Sequence, residues 1–125
     1  MATATSFGEF IIAKRREKEL SARQLALALH ISPVYLCDIE KGRKCMVTDE
    51  LLEQLRRLLA LSEEESELMY DLVATAQKSI SVDLPEYIME HEIVRTALRT
   101  AKKHKVSDEK WERFIAQITQ NDDKE

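Results

Sequence analysis

Two glycines and two prolines in 125 residues leave this chain few means of making tight turns or long irregular loops. Sheets need such residues at every hairpin, because left-handed backbone and fixed bends come most easily from glycine and proline. The scarcity therefore predicts helices joined by short connections, an all-α fold. A charged fraction of 34% beside 44% apolar residues fits amphipathic helices, each with one solvated face, around a real core.

Capping residues place the elements. Ser6 opens a helix over about 7–18, with Phe7, Phe10, Ile11 and the stem of Lys14 inside. Ser21 caps a second, about 22–29, that turns Leu25, Ala26 and Leu29 inward, and His30 and Ile31 make the corner. Ser32 caps a third. Pro33 takes its first position, where a missing N–H costs nothing, and Gly42 stops it after about Lys41. Thr48 caps a fourth, 49–60, with leucines at 51, 52, 55, 58 and 59. Ser62 and Glu65 form a capping box for a fifth, about 63–79, with Leu68, Met69, Leu72, Val73 and Ala76 as its stripe. The segment "SISVDLP", 79–85, interrupts the periodicity and predicts a boundary between lobes 1–79 and 80–125. Beyond it, helices are expected over about 85–90, over about 92–104 with Ile93, Val94, Ala97, Leu98 and Ala101, and from Ser107 onward with Trp111, Phe114, Ile115 and Ile118. That last cluster is read as closing the second lobe or as a dimer interface.

Several function classes have no support. No stretch of about 18 apolar residues exists to span a membrane. The opening "MATATSFGEF" lacks the basic and apolar segments of a secretory signal. Cys37 and Cys45 make no disulfide framework, so a cytoplasmic location is expected. Those cysteines with His30, His91 and His104 lack zinc-site spacing, and no nucleophile–base set or phosphate-cradling glycine loop is present. No metal, no cofactor and no enzymatic activity are expected. Cys37 on the third helix reads as a small half-buried residue rather than a redox switch.

Net charge is −4, an unpromising sign for a nucleic-acid binder, but its distribution is uneven. Residues 1–47 carry +3, 48–82 carry −5 and 83–125 carry −2. The positive charge gathers at the end that holds the two short capped helices.

At "LALALHISPVYLCDIEKG" the spacing becomes specific, and it resembles the Cro/CI-type helix-turn-helix of the lambda-repressor-like family, also called the xenobiotic-response-element family. The family pattern matches Leu25-Ala26, the turn position His30, Ile31, Ser32, three variable residues, Leu36, then Ile39-Glu40-Lys41-Gly42. The resemblance covers about 6–78. The later "LPEYIMEHEIVRTALRTAKK" is similar to an extension on some bacterial regulators of the family. The chain departs from the pattern at Ala22, where the family often has glutamine, and at His30, where it usually has glycine. The resemblance implies a five-helix DNA-binding domain over 1–79, a helical C-terminal extension over 80–125, and an internal ion pair between Arg15 and Glu40.

Independent physics agrees. Ala26 is small enough for two helices to cross closely, and Leu36 and Ile39 bury the third helix against the second. That leaves Pro33, Val34, Tyr35 and Asp38 outward to read bases in a major groove. Val34 suits a thymine methyl. Asp38 accepts from a cytosine amino group, repels other sequences, or pairs with Lys41 or Arg43. Ser21, Arg23, Ser32, Lys41, Arg43 and Lys44 are the expected phosphate contacts. The leading expectation is a sequence-specific regulator of double-stranded DNA, a repressor acting as a homodimer on a palindromic operator. The rival is an antitoxin-like or adaptor protein whose C-terminal lobe binds a protein partner.

Overall fold

The computed structural model describes residues 6–43 and 47–123. Among them lie eight helices and no strand: α1 Phe7–Glu17, α2 Ala22–Leu29, α3 Pro33–Glu40, α4 Asp49–Leu58, α5 Glu63–Gln77, α6 Pro85–Glu90, α7 Glu92–Lys103 and α8 Asp108–Asp123. The all-α expectation holds.

The first five helices begin by one device. Ser6, Ser21, Ser32, Thr48 and Ser62 each accept a hydrogen bond from the backbone N–H of the third residue of the helix they open. At Ser6, Ser21 and Ser62 a side chain answers in return: Glu9, Gln24 and Glu65 each accept from the cap's own N–H. Each cap contributes about 1 kcal/mol.

The far ends use a second device. Among the described residues Glu19, His30, Ala60, Lys78 and Lys105 hold left-handed backbone, with φ of 57°, 61°, 49°, 56° and 51°. They lie just past α1, α2, α4, α5 and α7. After each, the next N–H reaches back five residues: Leu20 to Arg15, Ile31 to Ala26, Leu61 to Arg56, Ser79 to Ala74 and Val106 to Ala101, at 2.8–3.0 Å. This is the Schellman closure, usually made with glycine at the left-handed position.

The chain divides into two compact units, Met1–Pro85 and Glu86–Glu125. In the first, Ile11, Leu25, Leu36, Ile39, Leu52, Leu55, Leu59 and Met69 are almost wholly shut off from solvent. α3 packs on α1 and α2, and α5 packs on α1. Two leucines expected inside are outside: Leu58 is 40% exposed and Leu68 48%. On α5 the buried line runs through Ser66, Met69, Val73 and Ala74, and Ala76 is exposed. The helix turns a face of period 3.6 toward α1, and Leu68 falls nearly opposite that face whatever its hydrophobicity. The segment 79–84 stays with the first unit, where the buried Ser81 hydroxyl donates to Asp71.

Lys14 of α1 donates to the Glu65 carboxylate at the start of α5. With the Ser62 backbone N–H as second donor, Lys14 holds the Glu65 carboxyl down to about 2. A carboxyl whose folded pKa is depressed stabilises the fold above its unfolded value and loses that contribution as pH falls. The wild type should therefore exceed Glu65→Gln in Tm by a constant margin above about pH 5, and the margin should shrink between about pH 4.5 and 2. Glutamine keeps the capping box, so the comparison isolates the charge. A margin that persists unchanged down to pH 2 in thermal melts would refute the pairing.

In the second unit no described residue of 86–120 is fully buried. Arg95 closes the end of α6 by donating to the carbonyls of Ile88 and Met89 at 3.0 and 2.8 Å, and His91 stacks on Tyr87. Trp111 meets Phe114 edge-on at 6.1 Å.

Candidate nucleic-acid interface

The α2–corner–α3 segment is built from short-range rules. Leu25, Ala26 and Leu29 occupy one face of α2 and are buried. His30 takes the left-handed backbone the corner requires, with φ 61° and ψ 38°. Ser32 and Pro33 then restart the chain as α3.

Two contacts fix how α3 is held. Gly8 of α1 lies directly against its end: a β-carbon on Gly8 would stand 2.2 Å from the Glu40 carbonyl oxygen and 2.7 Å from that of Ile39. Arg15, two turns further along α1, grips the Glu40 carboxylate with two donors. Its Nε reaches Oε2 at 2.8 Å and its Nη2 reaches Oε1 at 3.2 Å. A third donor, Nη1, reaches the Leu20 carbonyl at 3.3 Å. The two side chains are 13% and 8% exposed, so the pair is shielded from screening water. One arginine thus joins α1, the α1–α2 connection and the end of α3.

With Leu36 and Ile39 pointing inward, the residues of α3 sort by angle. At about 100° per residue, Val34 and Lys41 fall opposite the buried pair, and Tyr35 falls roughly 70° from its centre. Val34 is accordingly 71% exposed, and Pro33 and Lys41 are exposed beside it. Tyr35, expected to face outward, is half-buried; it packs on the core and borders a hollow of about 280 Å³ with Leu29, Ile31, Thr48 and Leu51. Asp38 is 22% exposed and lies 3.5 Å from Arg43, which is 65% exposed. Of the pairings open to Asp38, this is the one observed, and it is a long one.

Ser21 and Ser32 use their hydroxyl oxygens as acceptors for their own helices, at 3.0 Å in both cases. Each hydroxyl keeps its hydrogen to donate. At the start of α2 the N–H groups of Ala22 and Arg23 have no partner within the helix. Arg23 is exposed and borders a hollow of about 410 Å³ with Leu27, Ile31 and Pro33. That hollow joins the two helices on their outer side. Lys44 and Cys45 lie outside the described residues.

Two residues at this site carry signals that the sequence reading passed over. Leu27 is 75% exposed. Its position out of phase with Leu25, Ala26 and Leu29 marks it as outward. Gly8 is a lone glycine inside a helical stretch, the usual sign of close backbone approach. Among the described residues no group of three or more histidines, cysteines or carboxylates is placed to hold a metal, and no helix is long and apolar enough to cross a membrane.

A family model described as a helix-turn-helix domain matches residues 6–69, just over half of the chain. No curated protein and no solved structure matches it.

Proposed function

The chain belongs to a helix-turn-helix domain family of the Cro-like type, and from that premise we propose that it is a DNA-binding transcriptional regulator, a repressor that occupies a palindromic operator as a homodimer. One unit offers few base contacts, and two units on a two-fold site supply the missing affinity. In this reading α3 enters the major groove. Val34 and Pro33 lead, with Tyr35 and Asp38 at the flank. Ser21, Arg23, Ser32, Lys41, Arg43 and Lys44 hold phosphates around it.

The observation that carries the reading is Val34, an apolar side chain 71% exposed on the outermost line of α3, with exposed Lys41 on the same line, exposed Arg23 at the start of α2 and exposed Arg43 just past α3. An apolar reader flanked by cations suits a base methyl flanked by phosphates.

The test begins with selection of bound duplexes from a random pool, followed by competition between the selected and a scrambled duplex at two salt concentrations. Arg43→Ala should weaken both complexes alike and make the salt slope shallower by about 1. Val34→Ala should cost about 1 kcal/mol on the selected duplex and far less on the scrambled one. Tyr35→Ala should cost roughly 1–3 kcal/mol on the selected duplex. Because Tyr35 also packs on the core, Val34 is the cleaner probe. Equal losses on both duplexes from Val34→Ala would mean that α3 is not the reader.

A further inference from the structure

We infer that the α7–α8 hairpin is the surface on which a second copy of this chain docks, the basic helix of each copy lying beside the acidic helix of the other. This deepens the regulator reading by giving its homodimer a surface, but the argument and its readout need no DNA.

Size comes first. The unit Glu86–Glu125 is about forty residues long, and no described residue of 86–120 is buried. Units this small usually need a metal, disulfides or association to hold together. Neither cysteine lies in it. Its apolar residues are nonetheless patterned. On α7, Ile93, Ala97 and Ala101 recur every fourth position and border, with Trp111 and Phe114 of α8, an open groove of about 400 Å³. Ile93 is 74% exposed, Phe114 50%, Ile115 60% and Ile118 47%. Two short helices have presented a core face and left it uncovered.

Charge says what covers it. From Glu92 to Lys103, α7 carries four basic groups and one acidic, a net +3. Over residues 108–120, α8 carries two basic and three acidic groups, a net −1. A two-fold interface brings patch i to patch j and patch j to patch i at once, so it requires one surface to hold both halves of the complement. Opposite net charge on successive helices meets that requirement. Two such hairpins crossing as a four-helix arrangement would bury both apolar faces and pair the charges around them. A protein of a different kind would need to match a positive and a negative strip side by side.

The experiment uses the full chain without DNA. Its single tryptophan, Trp111, lies in this hairpin, so emission reports on it alone. Sedimentation and Trp111 emission are followed over about 0.1–100 μM. A dimer is expected, with emission shifting red on dilution. Ile115 does not border the groove of its own hairpin. Ile115→Glu should therefore leave the helix content intact while raising the dimer Kd about 100-fold or more, since symmetry places two buried carboxylates in the interface. A charge exchange gives a second arm. Lys102 and Glu112 each fall about 110° from the centre of their helix's apolar face, at its edge. A chain with Lys102→Glu, and another with Glu112→Lys, should each dimerise poorly alone and preferentially with each other. A monomer throughout with constant emission overturns the inference. So does a dimer indifferent to Ile115→Glu and to the charge exchange, which would place the contact in the first unit and leave the regulator reading standing. Loss of the dimer in these variants, in a chain whose wild type selects no DNA sequence, would support the inference and remove the regulator reading.

Discussion

Gly8→Ala is expected to destabilise the first unit by roughly 3 kcal/mol, although alanine is the better helix former. The propensity gain is at most about 1 kcal/mol. Against it stands a β-carbon 2.2 Å from the Glu40 carbonyl oxygen, 2.6 Å from its carbonyl carbon and 2.7 Å from the Ile39 carbonyl oxygen. All three atoms are backbone, so no rotamer change relieves the overlap, and α1 and α3 must separate. For a domain of about 80 residues the loss corresponds to a fall in Tm of about 12–24 °C. Separation would also loosen the Arg15–Glu40 grip, so the two losses should not be additive. A thermal melt placing Gly8→Ala within about 2 °C of wild type would show that the two helices do not approach this closely.

Glu40→Gln comes next in size, at about 2–3 kcal/mol. The substitution keeps volume and one acceptor but leaves the Arg15 guanidinium, only 13% exposed, without its counter-charge. Removing one partner of a shielded pair costs more than the pair contributes, because the remaining charge is desolvated and unmatched. A surface pair would behave otherwise, losing at most about 1 kcal/mol and less in high salt. Urea unfolding at low and high ionic strength separates the cases: an unchanged midpoint would mean that water already solvates Arg15. Since Glu40 closes α3, DNA affinity should fall with stability even though Glu40 is not among the proposed contacts.

The legible parts of the fold were those set by neighbours in sequence. A serine or threonine hydroxyl reaches the N–H of the third residue of its own helix, so five helix starts are legible directly. Faces were harder. Hydrophobicity puts Leu68 on the α5 stripe, whereas phase sets it nearly opposite the buried Ser66, Met69, Val73 and Ala74. The same distinction decides α3: Pro33, Val34, Tyr35 and Asp38 all read as outward in the sequence, yet the angle from Leu36 and Ile39 leaves Val34 facing solvent and brings Tyr35 onto the core flank. Contacts between distant positions left no local mark. Arg15 and Glu40 are 25 residues apart, and only the resemblance joined them; the Gly8 approach depends on where α3 ends in space. Lys14 and Glu65, 51 apart, carry no pattern that predicts their meeting.

The Schellman corners carry a consequence for how this chain measures its helices. At Glu19, His30, Ala60, Lys78 and Lys105 an L side chain in left-handed backbone works against closure by roughly 1 kcal/mol. What balances it is the residue that follows, and in four of the five cases this is aliphatic: Leu20, Ile31, Leu61 and Val106. Leu61 is buried, and Leu20 and Ile31 pack against the core cluster. The stop is therefore a vote cast by the core rather than an instruction written at the corner. A glycine would end a helix in any surroundings; the corners at Glu19, His30 and Ala60 end one only while a leucine or isoleucine has somewhere to go. Helix length in this protein is a cooperative quantity, decided at the same moment as the interior it surrounds.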